Sequence, residues 1–349
     1  MFLRKIHNSQ DGESCERHDV CSFAKTHREL LMTLRVVFMG TPEFAVPALE
    51  AVHNTFEVVG VYTQPDKPVG RGLDVQCSAV KSKAIELGLP VLQPVRLSVP
   101  EELRELEKLR PDVIVVVAFG QILKTNVLEL PRLGCVNIHS SLLPRWRGAA
   151  PIQWALLGGD SETGITTMRL VEKLDAGDIL LQKRTSISEE DTAQNLHDRL
   201  AQMGAELIIP TLQGLESGTL PGQAQNEAQV TYASKLTKEM ECLDPQENAD
   251  GLDRRIRALN PWPGTSVWME DPQGQIQRLK IKKARVRSDI RGSQGQIFEK
   301  VGMVLLGTRE GALELLIVQW DGKKPVDAAG FLNGLRGRGQ SLPLRLVTK

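Results

Sequence analysis

The chain has 349 residues, 41% hydrophobic and 25% charged, with 43 basic against 43 acidic side chains; that is more than one hydrophobic core usually serves, so two domains of an ordinary soluble protein are expected. Its longest strongly apolar run, residues 113–119, is far too short to span a bilayer, and five cysteines (15, 21, 77, 135, 242) without a Cys-x-x-Cys pair argue against a disulfide framework, so no membrane partner and a reducing, cytoplasmic compartment are expected. The zero net charge hides an asymmetry, 20 basic against 15 acidic residues over 226–349 and 23 against 28 over 1–225, which fits a polyanion gripped by the second half as well as it fits chance segregation.

Residues 1–31 lack the apolar core of a signal peptide, and Asp11, Glu13, Glu16, Asp19 and Glu29 weaken a transit-peptide reading. They are expected to be a disordered extension or a product of start-site choice, with Met32 the natural initiator. Cys15, His18, Cys21 and His27 match no common zinc spacing, so no metal is expected.

From Leu34 the pattern is α/β. Residues 35–39 read as a buried strand, Gly40-Thr41-Pro42 as a turn and 44–52 as a helix. Strands at 58–62, 113–119 and 135–139 alternate with helices at 78–87 and 101–109, the signature of a doubly wound, mostly parallel sheet. The first turn has one glycine where a dinucleotide fingerprint needs three, and Pro42 removes an amide that would cradle a pyrophosphate, so no nicotinamide or flavin dinucleotide is expected. The segment Thr63-Gln64-Pro65-Asp66-Lys67-Pro68-Val69-Gly70-Arg71-Gly72 reads as an exposed, mobile loop. By composition it is a variable surface loop; functionally it is an arm offering Lys67 and Arg71 to phosphates.

Within Cys135-Val136-Asn137-Ile138-His139-Ser140-Ser141-Leu142-Leu143-Pro144-Arg145-Trp146-Arg147-Gly148, strand alternation puts Asn137 and His139 on one face, at the carboxyl end where open α/β sheets bind ligands. Cys135 shares that face and reads as a small buried apolar residue. A helix follows at 148–157, a strand at 164–170, the turn Leu174-Asp175-Ala176-Gly177-Asp178, a strand at 179–182 and a long helix within 189–216, whose His197 reads as a surface or packing residue. Residues 217–230 are the expected linker.

Beyond it, residues 252–259 form a short basic helix with Arg254, Arg255 and Arg257, broken by Asn260-Pro261-Trp262-Pro263-Gly264. Five short strands at 265–269, 277–284, 296–298, 301–306 and 312–319 suggest a small OB-like β-barrel. Lys280 and Lys282 belong to a run alternating basic and apolar residues, which is a solvated strand face or a nucleic-acid surface; the basic helix tips the balance modestly to the second.

An Asn beside a His, with an Asp from a later turn, suits attack of an amine on a carbonyl. Asn137 and a protonated His139 can donate to the oxyanion, and Asp175 can favour the charged imidazole and relay the proton lost by the amine. By spacing alone, Asn137 and His139 could equally be satisfied core polar groups.

The chain resembles the folate-dependent formyltransferase family in Phe38-Met39-Gly40-Thr41-Pro42-Glu43-Phe44, in Thr63-Gln64-Pro65-Asp66-Lys67-Pro68 with Gly70-Arg71-Gly72, and in Asn137-x-His139-x-Ser141-Leu142-Leu143-Pro144-Arg145-x-Arg147-Gly148. Further matches are Leu174-Asp175-x-Gly177-Asp178, Thr231-Tyr232-Ala233-x-Lys235-Leu236 and Asn260-Pro261-Trp262-Pro263-Gly264. The resemblance implies a Rossmann-like catalytic domain over 32–216 and a β-barrel tRNA-binding domain over 231–349, joined by 217–230. It implies Asn137, His139 and Asp175 as catalytic residues, and Ser141, Leu142, Leu143 and Pro144 as the tetrahydrofolate-binding segment. The formyl donor would be 10-formyltetrahydrofolate and the acceptor the α-amino group of methionine on initiator methionyl-tRNA, gripped through Lys67, Arg71, Arg254, Arg257, Lys280 and Lys282 by a monomer. The family commonly continues its Gly-Arg-Gly loop with lysines and prolines, whereas Leu73-Asp74 follow here and leave more of the phosphate contact to Arg71. A sibling formyl transfer or hydrolysis on a small molecule, and an inactive tRNA-binding protein, are the alternatives; the basic second half argues against the first and the intact Asn, His and Asp set against the second.

Overall fold

Three stretches of the first half, residues 36–39, 58–62 and 113–117, are consecutive apolar runs, which can be satisfied only in a sheet covered on both faces. In the computed structural model, which describes residues 34–69, 74–270 and 274–347, they form the centre of a seven-stranded sheet. Eleven strands belong to this half: β1 (Arg35–Gly40), β2 (Glu57–Tyr62), β3 (Lys67–Val69), β4 (Asp74–Gln76), β5 (Val91–Leu92), β6 (Val113–Val117), β7 (Cys135–His139), β8 (Arg147–Gly148), β9 (Glu162–Arg169), β10 (Ile179–Ser186) and β11 (Tyr232–Ala233). The main sheet runs β10-β9-β7-β6-β1-β2-β5, parallel from β7 to β5, with β9 and β10 antiparallel at one edge. The expected extension 1–31 with its Cys15, His18, Cys21 and His27 lies outside the described residues, as does Arg71.

Strand order reverses between β1 and β6, which makes the carboxyl ends of these strands the crevice of the sheet. There the Thr41 hydroxyl donates to the Phe119 carbonyl at 2.9 Å and stitches the two following loops together. Val37, Met39, Ile114, Val116 and Cys135 share one buried face, packed with Leu106 and Leu103 of the helix Pro100–Lys108. The opposite face carries the helix Ala193–Glu216, whose Gly204 lies against Ile138. A reciprocal cap between Thr192 and Asn195 starts that helix.

The loop expected over 63–72 contains structure: β3 pairs antiparallel with β4, so an arm stands where composition indicated irregular chain. Residues 217–230 run along the first half, with Gln223 bridged to Ile179 and β11 pairing with β8 directly afterwards.

Among the described residues the second half has seven strands, β12 (Ser266–Glu270), β13 (Ile276–Arg287), β14 (Gln296–Lys300), β15 (Met303–Gly307), β16 (Ala312–Trp320), β17 (Val326–Asp327) and β18 (Leu344–Leu346). Six close an antiparallel barrel in the order β13-β12-β18-β14-β15-β16 and back to β13, with β17 appended to β16. The closing strand β18 and the helix Ala328–Arg336 had no counterpart in the sequence reading. That helix puts Phe331 and Leu335 into the barrel core, and the helix Ala249–Leu259 puts Leu252 and Ile256 there.

Asp191 ties the halves together just before the long helix. Its carboxylate accepts from Ser188 N–H at 2.8 Å and from Arg199, and its carbonyl accepts from Arg257 Nη1 at 2.9 Å. Burial opposes ionisation of this carboxyl, but Arg199 and the Ser188 amide outweigh it and hold it below the usual range. A carboxyl lowered on folding contributes stability above its unfolded value, about 3.9, and loses it as pH falls through its folded value. Asp191→Asn should therefore be destabilised by roughly 1.5–3 kcal/mol at pH 7. The gap to the native chain should close in melts below about pH 4, and a gap that stays constant with pH would refute the assignment.

Candidate active site

β7 presents Cys135, Asn137 and His139 on one face, and their surroundings differ along the strand. Cys135 is sealed in the core with Sγ 3.7 Å from the Val127 carbonyl, and burial pushes its thiol up to about 12, far from a nucleophile at neutral pH. Asn137 is half-buried. His139 is only 6% exposed. Its Nε2 lies 2.9 Å from the Trp146 carbonyl, which can only accept, so that nitrogen carries a proton. Proton exchange at this ring therefore runs through Nδ1.

Nδ1 faces Asp175 Oδ2 at 3.9 Å, an ion-pair separation too long for a hydrogen bond. The same Oδ2 accepts from Gly148 N–H at 2.8 Å. Asn137, His139 and Asp175, predicted from separate stretches, thus come to one place at the carboxyl end of β7. Backbone strain collects here as well. Of five non-glycine residues with positive φ among the described residues, Ala118, Trp146 and Asp175 lie on loops of this end, with φ of 48°, 64° and 46°. The loop after β6 and the one between β9 and β10 are tied by Thr125, which donates to Glu172, and they expose Ile122 and Leu174 to solvent.

The segment after β7 is laced to its neighbours. Thr166 Oγ1 donates to the Ser141 carbonyl at 2.7 Å and accepts from Leu143 N–H and Gln182 Nε2. Ser141 and Leu143 are buried, the Ser141 hydroxyl donating to the Arg145 carbonyl. Leu142 and Pro144 are half-buried and line a cleft of about 710 Å³ with Asp160 and Gln182. Three residues beyond the expected linker's end or within it also reach this segment: Thr231 Oγ1 accepts from Trp146 N–H, Ala233 pairs with Gly148, and Gln225 meets Arg147 and the Asp175 turn. Sequence reasoning assigned none of them a role. The quoted Thr231-Tyr232-Ala233 match was the available signal; Gln225 had none.

The expected nucleic-acid contacts are scattered. Lys67 is exposed on β3. Arg257 is committed within the protein, to Asp253 at 2.7 Å and to the Asp191 carbonyl. Arg254 lies over Gly159 with its buried Nε unpartnered. Lys280 stands 3.3 Å from Asp321, and Lys282 is half-buried. Burial, and then Lys280 beside it, lowers the Lys282 ammonium from the ordinary lysine range.

Residues 34–212 match the family described as formyl transferase, and residues 235–336 match the formyl transferase C-terminal domain. The chain belongs to the formyl transferase family. A methionyl-tRNA formyltransferase of Methylococcus capsulatus is 50% identical over 302 residues, which cover 86% of this chain and 96% of that protein. One from Marinobacter nauticus is 45% identical over 304 residues, again 86% and 96%. Among solved formyl transferase folds, the sugar 3N-formyl transferase WlaRD, solved in the presence of dTDP and 5-N-formyl-THF, superposes with a TM-score of 0.61 at 18% identity, over 84% of this chain and all of that one. HypX from Aquifex aeolicus in complex with tetrahydrofolic acid gives 0.58 at 17% identity, over 91% and 51%. At such identities the likeness establishes the fold, a catalytic sheet followed by a closed barrel. Among the described residues no helix is long and apolar enough to cross a membrane.

Proposed function

We propose that this formyl transferase moves the formyl group of 10-formyltetrahydrofolate to the α-amino group of methionine esterified to initiator tRNA. The observation that carries the reading is the 50% identity to a relative of that name over nearly its whole length, both matched segments included. On this reading 32–216 is the catalytic domain, 231–349 the tRNA-binding barrel and 217–230 their connection, in a cytoplasmic monomer.

The amine nitrogen attacks the formyl carbon, a C–N bond forms, and the carbonyl oxygen takes negative charge. The Asn137 amide and a protonated Nδ1 of His139 donate to that oxygen. Collapse breaks the bond from carbon to N10 of the folate, which takes up a proton, while the amine gives one up; Asp175 relays it. Leu142 and Pro144 offer an apolar wall and the buried Ser141 and Leu143 its footing, as a flat heteroaromatic donor requires.

The acceptor's nucleic acid would follow linked clefts. The cleft beside Leu142 shares Gly159, Asp160 and Ser161 with a groove of about 720 Å³ that reaches Arg254, Arg257 and Lys282. Lys282 also borders a cleft of about 330 Å³ under Trp262, which is 54% exposed and flanked by Lys238 and Lys280. An exposed indole among lysines suits a stacked base over a phosphate backbone. Trp262→Ala should weaken tRNA binding by about 1–3 kcal/mol. Lys280→Gln with Lys282→Gln should flatten the salt dependence by up to about 0.9 per lost phosphate contact. Unchanged affinity and slope in filter binding would remove this face from the tRNA path.

The deciding assay offers the purified protein 10-formyltetrahydrofolate with either charged initiator tRNA or an amino-sugar nucleotide. Formyl-methionine on tRNA is the expected product; transfer to the sugar nucleotide alone, or to neither, would overturn the reading.

A further inference from the structure

The geometry points to Gln225, in the connection between the halves, as a positioning residue for Asp175; the inference rests on the catalytic role proposed above for that carboxylate. Asp175 sits at φ 46° in the turn between β9 and β10, a conformation its own residue type does not enforce. Gln225 Nε2 donates to the Asp175 carbonyl at 2.9 Å and to the Gly177 carbonyl at 2.7 Å, so one amide pins the turn on both sides of Ala176. Gln225 Oε1 accepts from Arg147 Nε at 3.0 Å and Nη2 at 2.9 Å. Acceptors on one side and donors on the other fix which way this amide points.

Arg147 is fully buried, paired also to Glu227 at 2.9 Å, and its Nη1 has no partner. A buried guanidinium with an unmet donor is a poor device for stability, and its consequence here is geometric. The next residue, Gly148, gives its N–H to the Asp175 carboxylate. The two-residue strand β8 thus holds Asp175 at both ends, the carboxylate directly and the carbonyl through Gln225. If either hold slips, Oδ2 turns relative to His139 Nδ1.

Gln225→Glu removes the hold on the turn and keeps the contact with Arg147. The new side chain has the same shape and still accepts from Arg147, but once ionised it cannot donate to the two carbonyls. Both KM values should match the native enzyme while kcat falls on the order of 10²-fold at temperatures where the variant is fully folded; the two stranded carbonyls lower its thermal midpoint. Added to Asp175→Asn, the change should remove no further activity, because both act through one group. Asp191→Asn serves as the control, since its bonds to Ser188, Arg199 and Arg257 lie away from the turn; it should lower the melting temperature and leave kcat alone. A native kcat in Gln225→Glu, a further loss in the Asp175→Asn background, or an equal kcat loss in Asp191→Asn overturns the inference. A native enzyme that formylates no charged tRNA would instead overturn the reading beneath it, before any variant is compared.

Discussion

His139→Ala lowers kcat on the order of 10²-fold or more and leaves the KM for charged tRNA nearly unchanged, as expected when an interaction made only in the transition state is removed. The ring is buried and gives its Nε2 proton to the Trp146 carbonyl, so truncation also strands that carbonyl. The stranded acceptor alone costs roughly 1–3 kcal/mol of stability. His139→Gln separates the two effects, because a carboxamide can still donate to Trp146 but can neither carry charge nor exchange a proton. It should melt close to the native enzyme and be as slow as the alanine variant. Asn137→Ala should cost a similar factor, and the double variant should fall far short of the product of the two, since both groups address one oxygen. A glutamine variant with native kcat would remove His139 from the chemistry and leave it a packing residue, the reading that spacing alone left open.

The strands were legible because their signals are local. Residues 113–117 can hardly be anything but buried, and alternation along 135–139 fixed the shared face of Asn137 and His139 before any contact was known. Asp175 carried no periodic signal, since one carboxylate in a turn has none; the chemistry of the Asn–His pair suggested it and the resemblance singled it out. Three things were hidden for physical reasons. The closing strand β18 is three residues long and takes its hydrogen bonds from β12 and β14, both distant in sequence. The helix Ala328–Arg336 contains two interior glycines and so has weak propensity, and burial of Phe331 and Leu335 stabilises it instead. The polar stretch 217–230 has the composition of a linker, yet Gln225 and Glu227 face a buried arginine that only the fold supplies.

Arg257 carries the same lesson in the other direction. A basic side chain on a basic helix is a reasonable phosphate ligand by composition, but this one spends its donors on Asp253 and on the Asp191 carbonyl of the catalytic half. Lys282 makes no ion pair among the described residues, and burial, then Lys280 beside it, lowers its ammonium from the ordinary lysine range. An anion bound there would favour the charged form of this half-buried lysine, so the salt slope should respond to its removal.

Gly148→Ala should damage both stability and turnover with a single methyl group. Gly148 has φ 122°, a region closed to side-chain-bearing residues, and a Cβ built there would lie 2.5 Å from the Ala233 carbonyl oxygen. Backbone strain and overpacking together put the cost at roughly 2–6 kcal/mol. The strand pair β8–β11 must open to make room, and with it moves the N–H that holds Asp175 Oδ2. The expected result is a lower melting temperature together with a fall in kcat at temperatures where the variant is fully folded. Gly218→Ala is the comparison: its φ is 68°, also left-handed, but nothing lies within 4 Å of the added carbon. That change should cost only about 1 kcal/mol and leave kcat untouched. If Gly148→Ala melts lower yet turns over at the native rate, the amide of Gly148 does not position the carboxylate, and Asp175 is held by Gln225 alone.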